Sequence, residues 1–112
     1  MRAFPTLSLL VLTLAVVACN DTEPTATELR LADLAQFQDR YDDELVATTG
    51  TVNRFAEPEH YWIEDDAFNR IRVVPQPAVS DLVGKRVRVT GRFEYDSDTG
   101  RVIDAQTVEV VE

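Results

Sequence analysis

Beyond Leu45 the chain alternates apolar and polar residues with the period of two that half-buried strands require. Val46, Thr48, Gly50 and Val52 share one side of a first strand at about 45–55. Tyr61 and Ile63 alternate with His60, Trp62 and Glu64 in a second, at about 60–65. Ile71 and Val73 alternate with Arg70, Arg72 and Val74 in a third, at about 70–74. Pro75 and Pro77 close that run, because proline has no N–H to give a ladder. Ser80 to Val83 reads as a short helix of one or two turns, ended by Gly84. A fourth strand at about 85–95 and a fifth at about 101–111, carrying Ile103, Val108 and Val110, complete the set. Turn residues separate them: Ala56 to Glu59, Asp65 to Asn69 and Asp96 to Gly100.

Two of these strands echo each other. Val46 to Val52 lines up on Val87 to Phe93, with Gly50 on Gly91. Strands that coil round a small barrel must bend sharply, and a mid-strand glycine permits a bulge or a close approach. Upstream, Leu31, Leu34, Ala35 and Gln38 fall at helical spacing, with Phe37 and Tyr41 nearby. They predict a short N-terminal helix around 32–40 that packs one apolar side on the domain; an amphipathic helix for a partner is the alternative. Asp42, Asp43 and Glu44 follow as a solvated turn.

The first 27 residues follow a different pattern. Arg2 gives a thin positive start, and Leu7 to Ala18 is an unbroken run of apolar or small residues. That run is shorter than the about 20 residues a membrane span needs, so residues 1–18 read as a signal peptide. It ends Val16-Val17-Ala18-Cys19, which resembles the lipobox of bacterial lipoproteins. The resemblance implies a diacylglyceryl thioether on Cys19, cleavage before it and acylation of the new amine. Val16 and Ala18 also suit an ordinary secretory cleavage, and one arginine with no lysine is a weak start for either. Several acyl chains would make a stable membrane anchor. Residues 19–28 then read as an acidic tether, polar and non-periodic from Asn20 to Thr27 and containing Pro24. Asp21 supplies only part of the acidic retention signal known from some lipoproteins, so the inner and outer membranes both stay open.

Length and charge narrow the function. A chain of 112 residues has room for one domain, here 29–112 with its strands within 45–112. Its formal charge of −9 argues against a general polyanion binder, because affinity for nucleic acid comes largely from neutralised phosphates. The acidity is concentrated ahead of the strands: eight acids face Arg30 and Arg40 from Asn20 to Glu44, against twelve acids and eight bases from Leu45 onward. One cysteine excludes an intramolecular disulfide. The core alone must hold the fold, which suits a closed barrel with few free strand edges.

Three strands, a short helix and two more strands is the order of the OB-fold, a five-stranded Greek-key barrel. The runs Tyr61 to Asp65, Arg70 to Val74, Leu82 to Phe93 and Gly100 to Glu112 resemble the nucleic-acid-type OB domains, in particular the small modules of exported bacterial proteins. The resemblance lies in pattern and order and carries no catalytic motif. It implies an all-β barrel with the first and fourth strands side by side. It also implies a ligand face on the outer side of strands two and three.

On that face His60, Trp62, Arg70 and Arg72 are the candidate ligand-binding residues, joined by Glu64. A tryptophan beside two arginines can stack a base, a sugar ring or a peptide aromatic. A shifted register would instead bury Trp62 and leave the arginines merely solvated. Glu57 and Glu59 on one flank, and Asp96 and Asp98 on the other, would repel phosphate. Arg86, Arg88 and Arg92 share one side of strand four, and acids such as Glu94 and Asp104 are candidate partners. Asp96, Asp98 and Gly100 lack the remaining ligands of a calcium loop. His60 has no second histidine for a zinc or catalytic pair, and His60-Tyr61 does not reproduce the histidine context of the periplasmic haem chaperones. No metal or cofactor is expected, and no nucleophile–base set points to an enzyme. The expectation is a lipid-anchored, extracytoplasmic binding or adaptor module that contacts a protein or envelope component. The alternative is single-stranded nucleic-acid or oligosaccharide binding through the face of Trp62, Arg70 and Arg72.

Overall fold

A computed structural model describes residues 25–111. The expected signal peptide of residues 1–18, Cys19 and the first part of the expected tether lie outside the described residues. Strand β1 is Thr27–Glu28; helices α1 and α2 are Leu31–Gln36 and Gln38–Tyr41; β2 is Glu44–Ala56 and β3 is Glu59–Glu64. Strand β4 is Arg70–Val74, followed by two 3-10 turns, Gln76–Ala78 and Ser80–Leu82, and then β5 (Arg86–Asp96) and β6 (Gly100–Val110).

The sheet closes on itself. Its order is β1-β2-β3-β4-β6-β5, and β5 pairs back onto β2. Only β1–β2 and β4–β6 are parallel; the other pairs are antiparallel. Without β1 this is the strand order of the OB barrel, so the all-β, closed-barrel expectation holds. The additional strand lies at the end of the expected tether. Thr27 and Glu28 run beside Val46 and Ala47, and the Leu29 N–H donates to the Ala47 carbonyl at 2.9 Å.

The inward positions are those the alternation marks: Val46, Thr48, Val52, Tyr61, Ile63, Ile71, Val73, Val87, Val89, Phe93 and Ile103 are all buried. Leu31 and Leu34 cover one opening from α1, and Val79 adds a buried contact from between the two 3-10 turns. The expected helix of 32–40 is broken at Phe37, whose φ of −116° and ψ of 40° leave the helical region. Asp33 holds the start of α1, accepting from the Arg30 backbone N–H at 3.1 Å and from its guanidinium at 2.9 Å. The guanidinium beside it holds the Asp33 carboxyl below the usual carboxylate range. The expected Ser80–Val83 helix is the tighter 3-10 form, which suits so short a connector.

The two echoing segments form one seam, with Val46 opposite Gly91 and Gly50 opposite Val87. Their glycines serve different neighbours. A Cβ on Gly91 would meet the Asp104 carbonyl oxygen at 2.1 Å, at the bulge where β6 inserts Gln106 between the partners of Gly91 and Thr90. A Cβ on Gly50 would meet Leu31 Cδ1 at 2.8 Å, so this glycine makes room for the helix that covers the barrel. Bulge and close approach are thus divided between the two positions.

Candidate functional site

Because Tyr61, Ile63, Ile71 and Val73 turn inward, the residues between them must turn outward. His60, Trp62, Arg70 and Arg72 therefore share the outer face of β3 and β4, with Trp62 half-buried and not in the core. Arg72 lies directly opposite Trp62 in the ladder, and Arg70 opposite Glu64. A third outward column comes from β2, where Asn53 pairs with Trp62 and Phe55 with His60.

These positions bring three aromatic rings together. The Phe55 and His60 centroids are 5.3 Å apart, His60 and Trp62 5.4 Å, and Phe55 and Trp62 6.2 Å, all tilted by about 40°. The guanidinium carbon of Arg70 lies 4.7 Å from the Trp62 ring centroid, in cation–π range. Glu64 fixes this arrangement. Its Oε1 accepts from Trp62 Nε1 at 3.0 Å and pairs with the Arg70 guanidinium at 3.1 Å, and its Oε2 accepts from Asn53 Nδ2 at 2.7 Å. The indole therefore has a set orientation before any ligand arrives. His60 Nδ1 lies 3.0 Å from the Pro58 carbonyl, a contact in which Nδ1 carries the proton and donates.

An open cleft of about 450 Å³ runs over the rings and ends on Thr99, Gly100 and Arg101 of the β5–β6 hairpin. Arg101 is held by its own contacts, donating from Nε to the Arg70 carbonyl at 3.2 Å and from Nη1 to Gln38 Oε1 of α2 at 2.9 Å. Glu57, Glu59, Asp96 and Asp98, expected to make the flanks acidic, do not line the cleft. Glu59 instead accepts from the Tyr61 hydroxyl at 2.6 Å and pairs with Arg54 at 3.5 Å. The Tyr61 hydrogen bond, followed by Arg54, holds the Glu59 carboxyl below its ordinary range, and the same bond raises the Tyr61 phenol. Asp96 accepts from the Asp98 backbone N–H within its turn.

The basic side of β5 is assembled differently. Arg88 pairs with Glu28 at 2.6 Å and with Glu109 at 3.6 Å, and Arg92 pairs with Asp43 at 3.0 Å. The partners expected from sequence, Glu94 and Asp104, are not the ones used. The cleft also contains residues that the strand pattern did not nominate: Phe55, Arg101 and, from the hairpin turn, Thr99 and Gly100. Phe55 was within reach, since it continues the outward alternation of Asn53. Arg101 was not, because it shares the parity of buried Ile103 and reaches the cleft only where β6 begins at the barrel rim.

Fold and site together define the class: a small closed β-barrel of OB order with an aromatic and guanidinium-lined cleft on its outer face. The solved structure of the hypothetical protein ygiW from E. coli is similar to it, with a TM-score of 0.57 at 16% identity over 84% of this chain and 100% of that one. At that identity the likeness concerns the fold alone. No family model and no curated protein matches the chain.

Proposed function

We propose that this protein is a non-catalytic binding module, held at the extracytoplasmic side of a bacterial membrane by lipid on Cys19. Its ligand is taken on the outer face of β3 and β4, by His60, Trp62, Arg70 and Arg72 together with Phe55 and Arg101. The observation that carries this reading is the pre-set aromatic cluster: one carboxylate, Glu64, accepts from Trp62 and Asn53 and pairs with Arg70, so that Trp62 and Arg70 are held in place along an open cleft. Pre-ordered rings lose little entropy on binding, which is how small binding faces gain affinity. The formal charge of −9 disfavours long nucleic acids as the ligand.

Trp62 is the sole tryptophan, so its fluorescence reports on the cleft alone. Titration of the mature chain with envelope glycan fragments, single-stranded DNA and haem at low salt should give a saturable response to one class, lost in Phe55→Ala. Flat titrations throughout would sink the reading. For the anchor, mass spectrometry should find an acylated Cys19 at the mature N-terminus; an unmodified Cys19, or a start elsewhere, would refute it.

A second reading, an adaptor that contacts a protein partner, is supported by Phe68. This side chain is 72% exposed at the tip of the β3–β4 turn. Its backbone takes a left-handed φ of 67°, and Asp65 fixes the turn by accepting from the Ala67 and Asn69 backbone N–H groups. Crosslinking and pull-down from native membranes tests it, with loss of the captured protein in Phe68→Ser as the expected outcome.

A further inference from the structure

The cations of the cleft differ in what already holds them. Arg70 is engaged by Glu64 and the Trp62 ring, and Arg101 by Gln38 and the Arg70 carbonyl. Arg72 lines the same cleft, opposite Trp62, is exposed, and has no hydrogen bond or ion pair among the described residues. A guanidinium presents five donors in a planar fork that matches a carboxylate in bidentate geometry. Phe55, 48% exposed, is the most open ring of the cleft and lies across β3 from Arg72.

We propose, resting on the reading of this face as a ligand site, that the ligand is a ring bearing one carboxylate. The carboxylate meets Arg72, with Arg101 alongside, and the ring lies over Phe55 and His60. Charge sets the number of acidic groups. Seventeen acids and ten bases among residues 25–111 make the domain as a whole negative, and the carboxylate of Glu64 pairs with Arg70 beside the cleft. Such a field penalises each further anionic group, whereas one monoanion paired at short range gains more than it loses. Phosphate dianions and polyanions are disfavoured by the same argument. The required chemistry occurs in a uronic-acid sugar and in the C-terminal aromatic residue of a peptide.

Two matched pairs of probes test this on the mature chain, read by Trp62 fluorescence and by amide chemical shifts. They are glucuronate against glucuronamide, and N-acetylphenylalanine against its amide. In at least one pair the acid should bind about tenfold or more tightly than the amide, as loss of a charge-assisted hydrogen bond predicts. Which pair responds identifies the source. Arg72→Gln should remove that preference and leave the melting temperature unchanged. Equal binding of acid and amide, or an acid preference that survives Arg72→Gln, overturns the inference and leaves the ligand site standing. Silence from all four probes also overturns it; if glycan fragments or another ligand still titrate Trp62, only the carboxylate assignment falls.

Discussion

The seam between β2 and β5 and the face of β3 and β4 carry the same sequence device, arginines at alternate outward positions, and use it in opposite ways. On the seam, Arg88 and Arg92 are met by Glu28, Glu109 and Asp43, which arrive from β1, β6 and the turn before β2. On the face, Arg70 is tied down by Glu64, while Arg72 is left unpaired among the described residues. The difference arises from neighbours supplied by distant parts of the chain. A basic stripe is thus structural where folding delivers carboxylates to it, and available for a ligand where folding delivers aromatic rings.

The seam should break most severely at Gly91. A Cβ there has no room, since the 2.1 Å contact is to backbone and not to the end of a flexible side chain. Gly91→Ala should cost about 3 kcal/mol, the upper part of the overpacking range, measured by urea unfolding. Gly50→Ala should cost less, because Leu31 Cδ1 can shift. Equal costs at the two glycines would contradict the division of roles between them.

Most of the barrel could be read from the sequence, for a physical reason. Burial of one sheet face imposes strict alternation, so Tyr61, Ile63, Ile71 and Val73 fix which neighbours point outward, and Trp62, Arg70 and Arg72 follow. What alternation does not encode is a change of phase or a partner far away in the chain. The bulge at Gln106 shifts β6, so that Ala105 and Val108 approach the core while Val110 stays 43% exposed. The pairing of Glu28 with Arg88 depends on β1 docking beside β2, and a two-residue strand leaves no periodicity to detect. Arg101 reaches the cleft because α2 supplies Gln38, a contact across 63 positions.

On the face, Glu64→Ala should have the next largest effect. It removes the acceptor shared by Trp62 and Asn53, together with the ion pair to Arg70, and should destabilise by about 1–2 kcal/mol. Trp62 emission should also move to longer wavelength as the indole loses its fixed partner. An unchanged spectrum would show that Glu64 does not orient the ring. Within the seam, the Thr48 hydroxyl is buried with no partner among the described residues. Thr48→Val should therefore stabilise, by up to about 1 kcal/mol in urea unfolding.

Acid should act on the face through its turn. Burial alone would raise the Asp65 pKa, but hydrogen bonds from the Asn69 side chain and backbone and from Ala67 outweigh it and hold the carboxyl below its ordinary value. A carboxylate with a depressed folded-state pKa contributes stability that is present above the unfolded value of about 3.9 and is lost as pH falls through the folded one. The urea midpoint should thus fall more steeply below about pH 4 in the native chain than in Asp65→Ala. Parallel curves would remove Asp65 from the account.

The smallest effects separate the two arginine sets most directly. Arg88→Ala removes pairs to Glu28 and Glu109, but all three side chains are more than a third exposed. Solvent screening keeps such pairs weak, and added salt should reduce the loss further. Arg72→Ala breaks no pair among the described residues and lies on a net-negative surface. Its stability should stay within about 0.5 kcal/mol of the native chain at any salt concentration. The two variants remove the same side chain from the outer side of the same barrel, so a different result can only reflect the company each keeps. If Arg72→Ala proved as costly and as salt-sensitive as Arg88→Ala, Arg72 would have a structural partner in solution, and the guanidinium assigned to the ligand would already be spent on the fold.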